Sequence, residues 1–256
     1  MENVTVIIQG RLLQESYDFY IKNYKDFPVI ISTWVDNKIS FKDLPSNFRV
    51  VLSQYPKDFG DQNLHLQIIS TLSGLDMVNT KYTIKIRGDE YWSNLQYIDL
   101  CIKSVSNKIW TSSIFFRAWQ YSEYHISDHI IAGTTDNLKL MFSESKKIFD
   151  NGELNLSKWK VDGKMHKWVK THAPEERITK AYLRAVEFDK FEKVDGRILM
   201  KNHFDILNID MMKPYKIKAN LFKKEWVDDF IPEKNYSIST IDQLFSDDPY
   251  KIPNKK

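Results

Sequence analysis

The chain has 256 residues, enough for one large domain or two small ones, and its 37 basic and 34 acidic side chains leave a formal charge of only +3. That balance, with no basic run longer than a few residues, argues against a dedicated nucleic-acid binder. One cysteine, Cys101, excludes an internal disulfide and any multi-cysteine metal site and fits a reducing compartment. The segment Met1-Glu2-Asn3-Val4 has no basic stretch followed by an apolar run, and nothing reaches about 18 uninterrupted apolar residues. The expectation is a single soluble, cytoplasmic domain with no transmembrane segment.

Val4 to Ile8 is a β-branched apolar run that stops at Gln9-Gly10-Arg11, after which Leu12 to Tyr24 carries apolar residues at helical spacing. Phe27 to Trp34 is a second run, ending at Val35-Asp36-Asn37. Phe48 to Leu52 is a third, ending before Pro56. Continuous runs of this kind suit strands covered on both faces, as in a parallel sheet flanked by helices. Asp61 to Asn79 reads as the clearest helix. At about 100° per residue, Leu64, Ile68, Leu72 and Leu75 share one face, while Asn63, Gln67, Ser70 and Gly74 share a polar one. That polar face either meets a ligand or a backbone closely or is solvated.

In Lys81 to Asp89, Tyr82, Ile84 and Ile86 alternate with Thr83, Lys85 and Arg87, the period of a strand, and Gly88 permits a sharp turn before Asp89 and Glu90. Acids at the carboxyl end of such a strand lie where open α/β sheets bind ligands. Beside Lys85 and Arg87 they have the chemistry of a Mg²⁺ or Mn²⁺ and phosphate site, or else form an acidic, solvated turn.

A helix from Leu95 to Val105 follows, then a strand-like run from Ile109 to Trp119 rich in Ser, Thr and aromatics. A helix is predicted from about Thr135 to Phe149, its start marked by Thr134-Thr135-Asp136-Asn137. Asp150 to Met165 is polar and irregular. Ala173-Pro174-Glu175-Glu176 opens another helix, with proline in the first turn and acids where the helix dipole favours them. Past Val186 the pattern weakens. Phe204 to Ile209 reads as a last strand, and the charged tail from Pro232 as surface or disordered chain.

Three stretches, Val29 to Trp34, Asn63 to Leu75 and Lys81 to Asp89, resemble the WavE-like family of lipopolysaccharide and surface-polysaccharide synthesis, which is related to viral glycosyltransferases. Ile126-Ser127-Asp128-His129-Ile130-Ile131-Ala132-Gly133 and Ala173-Pro174-Glu175-Glu176 are similar to its later blocks, so the likeness spans roughly residues 3 to 185. It implies an α/β fold of the GT-A type, the nucleotide-diphospho-sugar transferase fold, with a mixed, mostly parallel sheet flanked by helices. Residues 1–92 would form the nucleotide-sugar half, 93–231 the acceptor side and 232–256 a surface tail.

The resemblance further implies that Gln9, Gly10 and Arg11 meet the base and ribose, and that Asn63, Gln67 and Ser70 face the nucleotide from the helix. Asp89, with Glu90, would take the place of the metal-binding Asp-x-Asp. Here the chain departs from the family pattern, because Asp89 is followed by Glu90 and Tyr91. Arg87 can hold a diphosphate bidentately, with Lys85 either its neighbour in charge or the snorkelling partner of an acid. Trp34, Trp92, Trp119 and Tyr121 offer stacking faces for sugars or pack the core.

The implied reaction moves a sugar from a nucleotide-diphosphate donor, expected to be a UDP-sugar, to a glycan acceptor with a divalent metal. It needs a base for the acceptor hydroxyl and stabilisation of the departing diphosphate. Asp128 is the candidate base, with Glu175 and Glu176 as competitors. Two alternatives remain: a metal-dependent hydrolase built on His125, Asp128 and His129, and a non-catalytic nucleotide-sugar-binding module of the same fold.

Overall fold

The computed structural model describes residues 3–105, 107–112, 123–152, 173–191, 193–213, 215–216, 241 and 245. Trp119 and Tyr121, most of the polar stretch from Asp150, and nearly all of the tail lie outside the described residues.

The three apolar runs form β1 (Val4–Gln9), β2 (Val29–Trp34) and β3 (Phe48–Ser53), and the alternating segment forms β4 (Tyr82–Arg87). With β6 (Ile109–Ser112), β7 (Ile130–Thr134) and β8 (Phe204–Leu207) they build one seven-stranded sheet, order β3-β2-β1-β4-β7-β6-β8. Neighbouring strands are parallel except where β7 meets β4 and β6, so β7 alone runs against the rest. A two-residue strand β5 (Tyr91–Trp92) pairs with β9 (Tyr215–Lys216) beside it. This is the mixed, mostly parallel sheet expected.

Burial follows from position in that order. β1 and β2 are covered on both faces, which is why their sequences run apolar without alternation. β3 is the edge, and it exposes Arg49 and Leu52.

Helices α1 (Gln14–Asn23) and α3 (Leu95–Ser104) cover one face, packing Tyr20, Leu95, Ile98 and Ile102 against Val6, Ile8, Ile84 and Ile86. On the other face lie α2 (Leu64–Leu75), α4 (Thr135–Asp150) and α5 (Pro174–Val186), with Ile7, Ile30 and Ile131 beneath them. Cys101 is half-buried on α3.

Local chemistry sets several ends. Asn94 accepts a hydrogen bond from the Tyr97 backbone N–H at the start of α3, and Thr134 does the same for Asn137 at α4. Pro174 occupies the first turn of α5, with Glu175 and Glu176 behind it.

Two local expectations change, and one open choice is resolved. The helix predicted from Asp61 begins regularly only at Leu64, because Gln62 and Asn63 are left-handed (φ 52° and 63°) and break the preceding turn. Of the readings open for its polar face, close packing is the one found: Gln67, Ser70 and Gly74 are buried against the sheet, with Asn63 exposed at its start. Gly74 is required there, since a Cβ would come within 2.8 Å of Ile7 Cγ2 and 3.2 Å of Ser32 Cβ. A further helix, α6 (Gly196–His203), capped by Asp195, forms where no pattern was read.

Candidate active site

β1 is paired on one side with β2 and on the other with β4, so the chain reverses its direction of travel across the sheet there. Such a switch point opens a crevice at the carboxyl ends of the parallel strands. Gln9 and Arg87, the last residues of β1 and β4, are register partners at its floor. From the far side β7 arrives antiparallel, pairing Ile130 with Ile86, so the residues just before β7 come level with the end of β4. Asp128 and His129 are thereby brought against Arg87 and the Gly88-Asp89-Glu90 turn.

Arg87 is the hub. Its Nε and Nη2 donate to the two carboxylate oxygens of Asp89 at 3.1 and 3.2 Å, and its Nη1 donates to Asp128 Oδ2 at 3.0 Å. Glu90 Oε1 lies 3.5 Å from Nε. The Arg87 side chain keeps 27% exposure, against 13% for Asp89, 11% for Asp128 and none for Glu90, so it is the most open member of the cluster. These carboxylates hold Arg87 protonated against its burial.

Lys85 lies one step deeper on the same face of β4. It is fully buried, and its ammonium donates to the Asp128 backbone carbonyl at 2.6 Å. Burial lowers its pKa to about 8, while Asp128, Glu90 and Glu175 pull it back up. Burial works to raise the Asp128 carboxyl, but Arg87, then Lys85 and His129, outweigh it and hold that carboxyl well below the usual range. Gln67 adds a hydrogen bond to Asp128 Oδ2 at 3.3 Å. Oδ1 faces His129 Nε2 at 3.9 Å.

Glu90 turns inward rather than to the crevice. Its Oε1 meets His129 Nδ1 at 2.5 Å, and its Oε2 is buried with no hydrogen-bond partner among the described residues. The turn is fixed from beneath by tyrosines of the α1 region. Tyr20 donates its hydroxyl to the Arg87 carbonyl at 3.0 Å and to that of Glu90, and Tyr24 donates to the Trp92 carbonyl at 2.7 Å. Gly88 is needed for a close approach: a Cβ would stand 2.7 Å from the Arg11 carbonyl oxygen and 2.9 Å from Leu12 Cδ2.

The Asp128 turn is clamped from β6 as well. Thr111 Oγ1 donates to the Ser127 carbonyl at 2.7 Å, and the Ser112 and Ser127 hydroxyls share a hydrogen bond at 2.9 Å. His125 Nε2 is 3.6 Å from Glu175 Oε2, which brings the start of α5 to the same cluster. Glu176 accepts from Lys180 of its own helix at 2.7 Å.

Lys85, Arg87, Asp89, Glu90, Gln67, Asp128 and Glu175 therefore belong to one neighbourhood. Gln9 is at its edge but spends its amide on Ser70 Oγ at 2.6 Å, and Ser70 in turn bonds the Leu66 carbonyl, so both look into the fold. Gly10, at φ 90°, turns the chain out of β1, and Arg11 is exposed beyond it. Asn63 is exposed at the left-handed start of α2. Trp34 is buried and stacks on Tyr55 at 4.6 Å, while Trp92 is a fully buried core residue and offers no sugar-stacking face.

His125 and His129, which a zinc site would need together, engage different acids. Among the described residues no three His, Cys, Asp or Glu side chains are grouped to hold a metal ion. The residues that sequence reasoning passed over are Tyr20, Tyr24, Thr111 and Ser112. Each acts through a backbone carbonyl or a neighbouring serine distant in the chain, which leaves no local pattern.

Fold and site define an α/β protein with a charged crevice at a topological switch point. The sequence matches the WavE lipopolysaccharide synthesis family over residues 24–225, and the chain belongs to that family. Among solved structures, HddC from Yersinia pseudotuberculosis is 13% identical over 54% of this chain and 79% of that one, with a TM-score of 0.35. The same protein complexed with GMP-PN aligns with equal identity and coverage at a TM-score of 0.36. No curated protein matches the sequence. Among the described residues no helix is long and apolar enough to cross a membrane.

Proposed function

We propose that this protein is a glycosyltransferase of the GT-A type that moves a sugar from a nucleotide-diphosphate donor, a UDP-sugar, to a glycan acceptor in lipopolysaccharide or surface-polysaccharide synthesis. The observation that carries the reading is the meeting of Arg87 with Asp128 at the switch-point crevice. It sets a diphosphate-binding cation beside a carboxylate that stays ionised. Family membership supports the biosynthetic setting.

In this reading the partly exposed guanidinium of Arg87 takes the diphosphate, and Arg11 and Gly10 border the nucleoside end. The acceptor hydroxyl approaches from the α5 side, between Asp128 and Glu175. Its oxygen bonds to the anomeric carbon as the bond from that carbon to the diphosphate oxygen breaks. The bonding pair leaves with the diphosphate, and the hydroxyl proton passes to a carboxylate, Asp128 Oδ1 being the oxygen without a bond to Arg87. Glu175, beside His125, is the second candidate acceptor for that proton. Glu176, tied to Lys180, is the weakest of the three.

A hard divalent cation belongs to this reading through its oxygen chemistry, and it would compete with Arg87 for the Asp89 carboxylate. Arg87 and Lys85 face the four carboxylates of Asp89, Glu90, Asp128 and Glu175, and Glu90 Oε2 is a buried oxygen with no hydrogen-bond donor among the described residues. Asp89 would hold the ion, with Glu90 behind it and donor phosphates and water completing an oxygen shell. When bound, Mn²⁺ or Mg²⁺ supplies charge stabilisation to the departing diphosphate. Titration calorimetry of UDP-sugars in Mn²⁺ tests the assignment: Asp89→Ala should abolish the metal-dependent part of binding, and unchanged affinity would overturn it.

A further inference from the structure

The sequence leaves Lys85 either as the neighbour of Arg87 in charge neutralisation or as the partner of an acid, and its ammonium is fully buried. Its strand is central, with Ile7 of β1 and Ile131 of β7 as register partners on either side. Burying a lysine there costs heavily unless its charge is used. Among the described residues it makes one hydrogen bond, to the main-chain carbonyl of Asp128, the residue whose carboxylate meets Arg87.

We propose that Lys85 is a positioning residue for the transfer reaction: it pins the backbone of Asp128 from beneath and so fixes where the carboxylate stands at the crevice. This rests on the glycosyltransferase reading above.

Two features argue for a role beyond filling space. First, the same turn is already held from β6 by Thr111 on the Ser127 carbonyl and by Ser112 on the Ser127 hydroxyl. Lys85 adds the grip on the next carbonyl, so the main chain on the amino side of the Asp128 side chain and that on its carboxyl side are held from different strands. A carboxylate that must meet a hydroxyl needs such restraint, since small displacements of a reacting group are costly in rate. Second, an apolar residue would fill the space without burying a charge, whereas an ammonium also steadies the carboxylate above it. Arg87, Asp89, Glu90, His129 and Glu175 are the other charged or titratable groups around that pair, contributed by β4 and its turn, by the segment before β7 and by α5.

The test is a comparison of Lys85→Met, Lys85→Gln and Thr111→Val with the native protein, by steady-state transfer kinetics and donor calorimetry. Both lysine variants should lower kcat by about a hundredfold while the donor dissociation constant moves less than about threefold, the split expected of a group that acts only on the reacting geometry. The acid limb of the kcat profile should move up by about one pH unit in both, since a cation near Asp128 is gone. Thr111→Val, which loosens the same turn without removing charge, should lower kcat and leave that limb in place.

Donor affinity falling in parallel with kcat, or an acid limb unmoved in the lysine variants, overturns the proposal. Should the lysine variants fail to fold, side-chain NMR of labelled lysines decides: Asp128→Asn should make the Lys85 ammonium titrate at lower pH, and an unmoved titration contradicts it. That measurement needs no donor. Absence of any transfer by the native protein instead sinks the glycosyltransferase reading.

Discussion

Arg87 and Asp128 stand 41 positions apart in the chain yet meet at 3.0 Å, because β7 returns antiparallel to β4 and brings its leading turn level with the end of that strand. Arg87 also holds both oxygens of Asp89. Removing the guanidinium strands two carboxylates at once. Arg87→Met should therefore destabilise the fold by about 2–3 kcal/mol in urea unfolding, the scale of losing hydrogen bonds to charged groups in a partly buried site. Arg87→Lys should recover little, since an ammonium cannot span both acids in the plane of a guanidinium.

Asp128→Asn keeps the shape of the side chain and a carbonyl oxygen for Arg87, but removes the proton acceptor. Transfer should fall by about a hundredfold or more while nucleotide-sugar affinity is retained, read by product formation and calorimetry side by side. Near-native transfer would hand the role to Glu175.

Lys85 gives the pH dependence of stability a definite sign. Its folded pKa of about 8 lies below the ordinary 10.5, so between these values the unfolded chain binds more protons than the folded one. Stability contributed by this group therefore rises with pH across that window. The full difference is about 3 kcal/mol, of which a part is visible between about pH 8 and 9.5, before buried tyrosines begin to oppose it. Asp128 has the same sign at the acid end: its depressed folded pKa gives stability that is complete above the unfolded carboxyl value and is lost as pH falls towards the folded one. Denaturant melts at a series of pH values check both, with Lys85→Met expected to lose the alkaline rise.

Gly88 has no room for a methyl group, because the atoms it would strike include the Arg11 main chain, which cannot rotate away. Gly88→Ala should lower stability by about 1–3 kcal/mol and pull the Asp89 turn away from the end of β1, weakening donor binding as well. A thermal melt and a donor titration on the same variant read the two effects.

Much of this arrangement is legible in the amino-acid order. The apolar runs gave β1, β2 and β3, and the alternation of Tyr82 to Arg87 gave β4 with its acids at the carboxyl end. What alternation could not show is why Thr83 and Lys85 tolerate burial. Their partners, Thr135 at 2.8 Å and the Asp128 carbonyl at 2.6 Å, are 52 and 43 positions away. The same distance in sequence hid the inward turn of Glu90, whose partner His129 is 39 positions on. The helix α6 escaped notice for a local reason: it is eight residues long, too short for its buried positions Gly196, Leu199 and Met200, spaced i, i+3 and i+4, to repeat. The false start of α2 at Asp61 arose because Gln62 carries no mark of the left-handed backbone it adopts, and Asn63, a residue that tolerates that region, sits equally well on a helix face.

The most direct test of the central claim is calorimetric titration of the native protein with UDP-sugars in the presence of Mn²⁺, alongside Arg87→Met. The account predicts saturable binding at one site, competed by UDP and lost in the variant. Absence of binding across uridine, thymidine and guanosine diphosphate sugars, or binding that survives the loss of Arg87 unchanged, would contradict it.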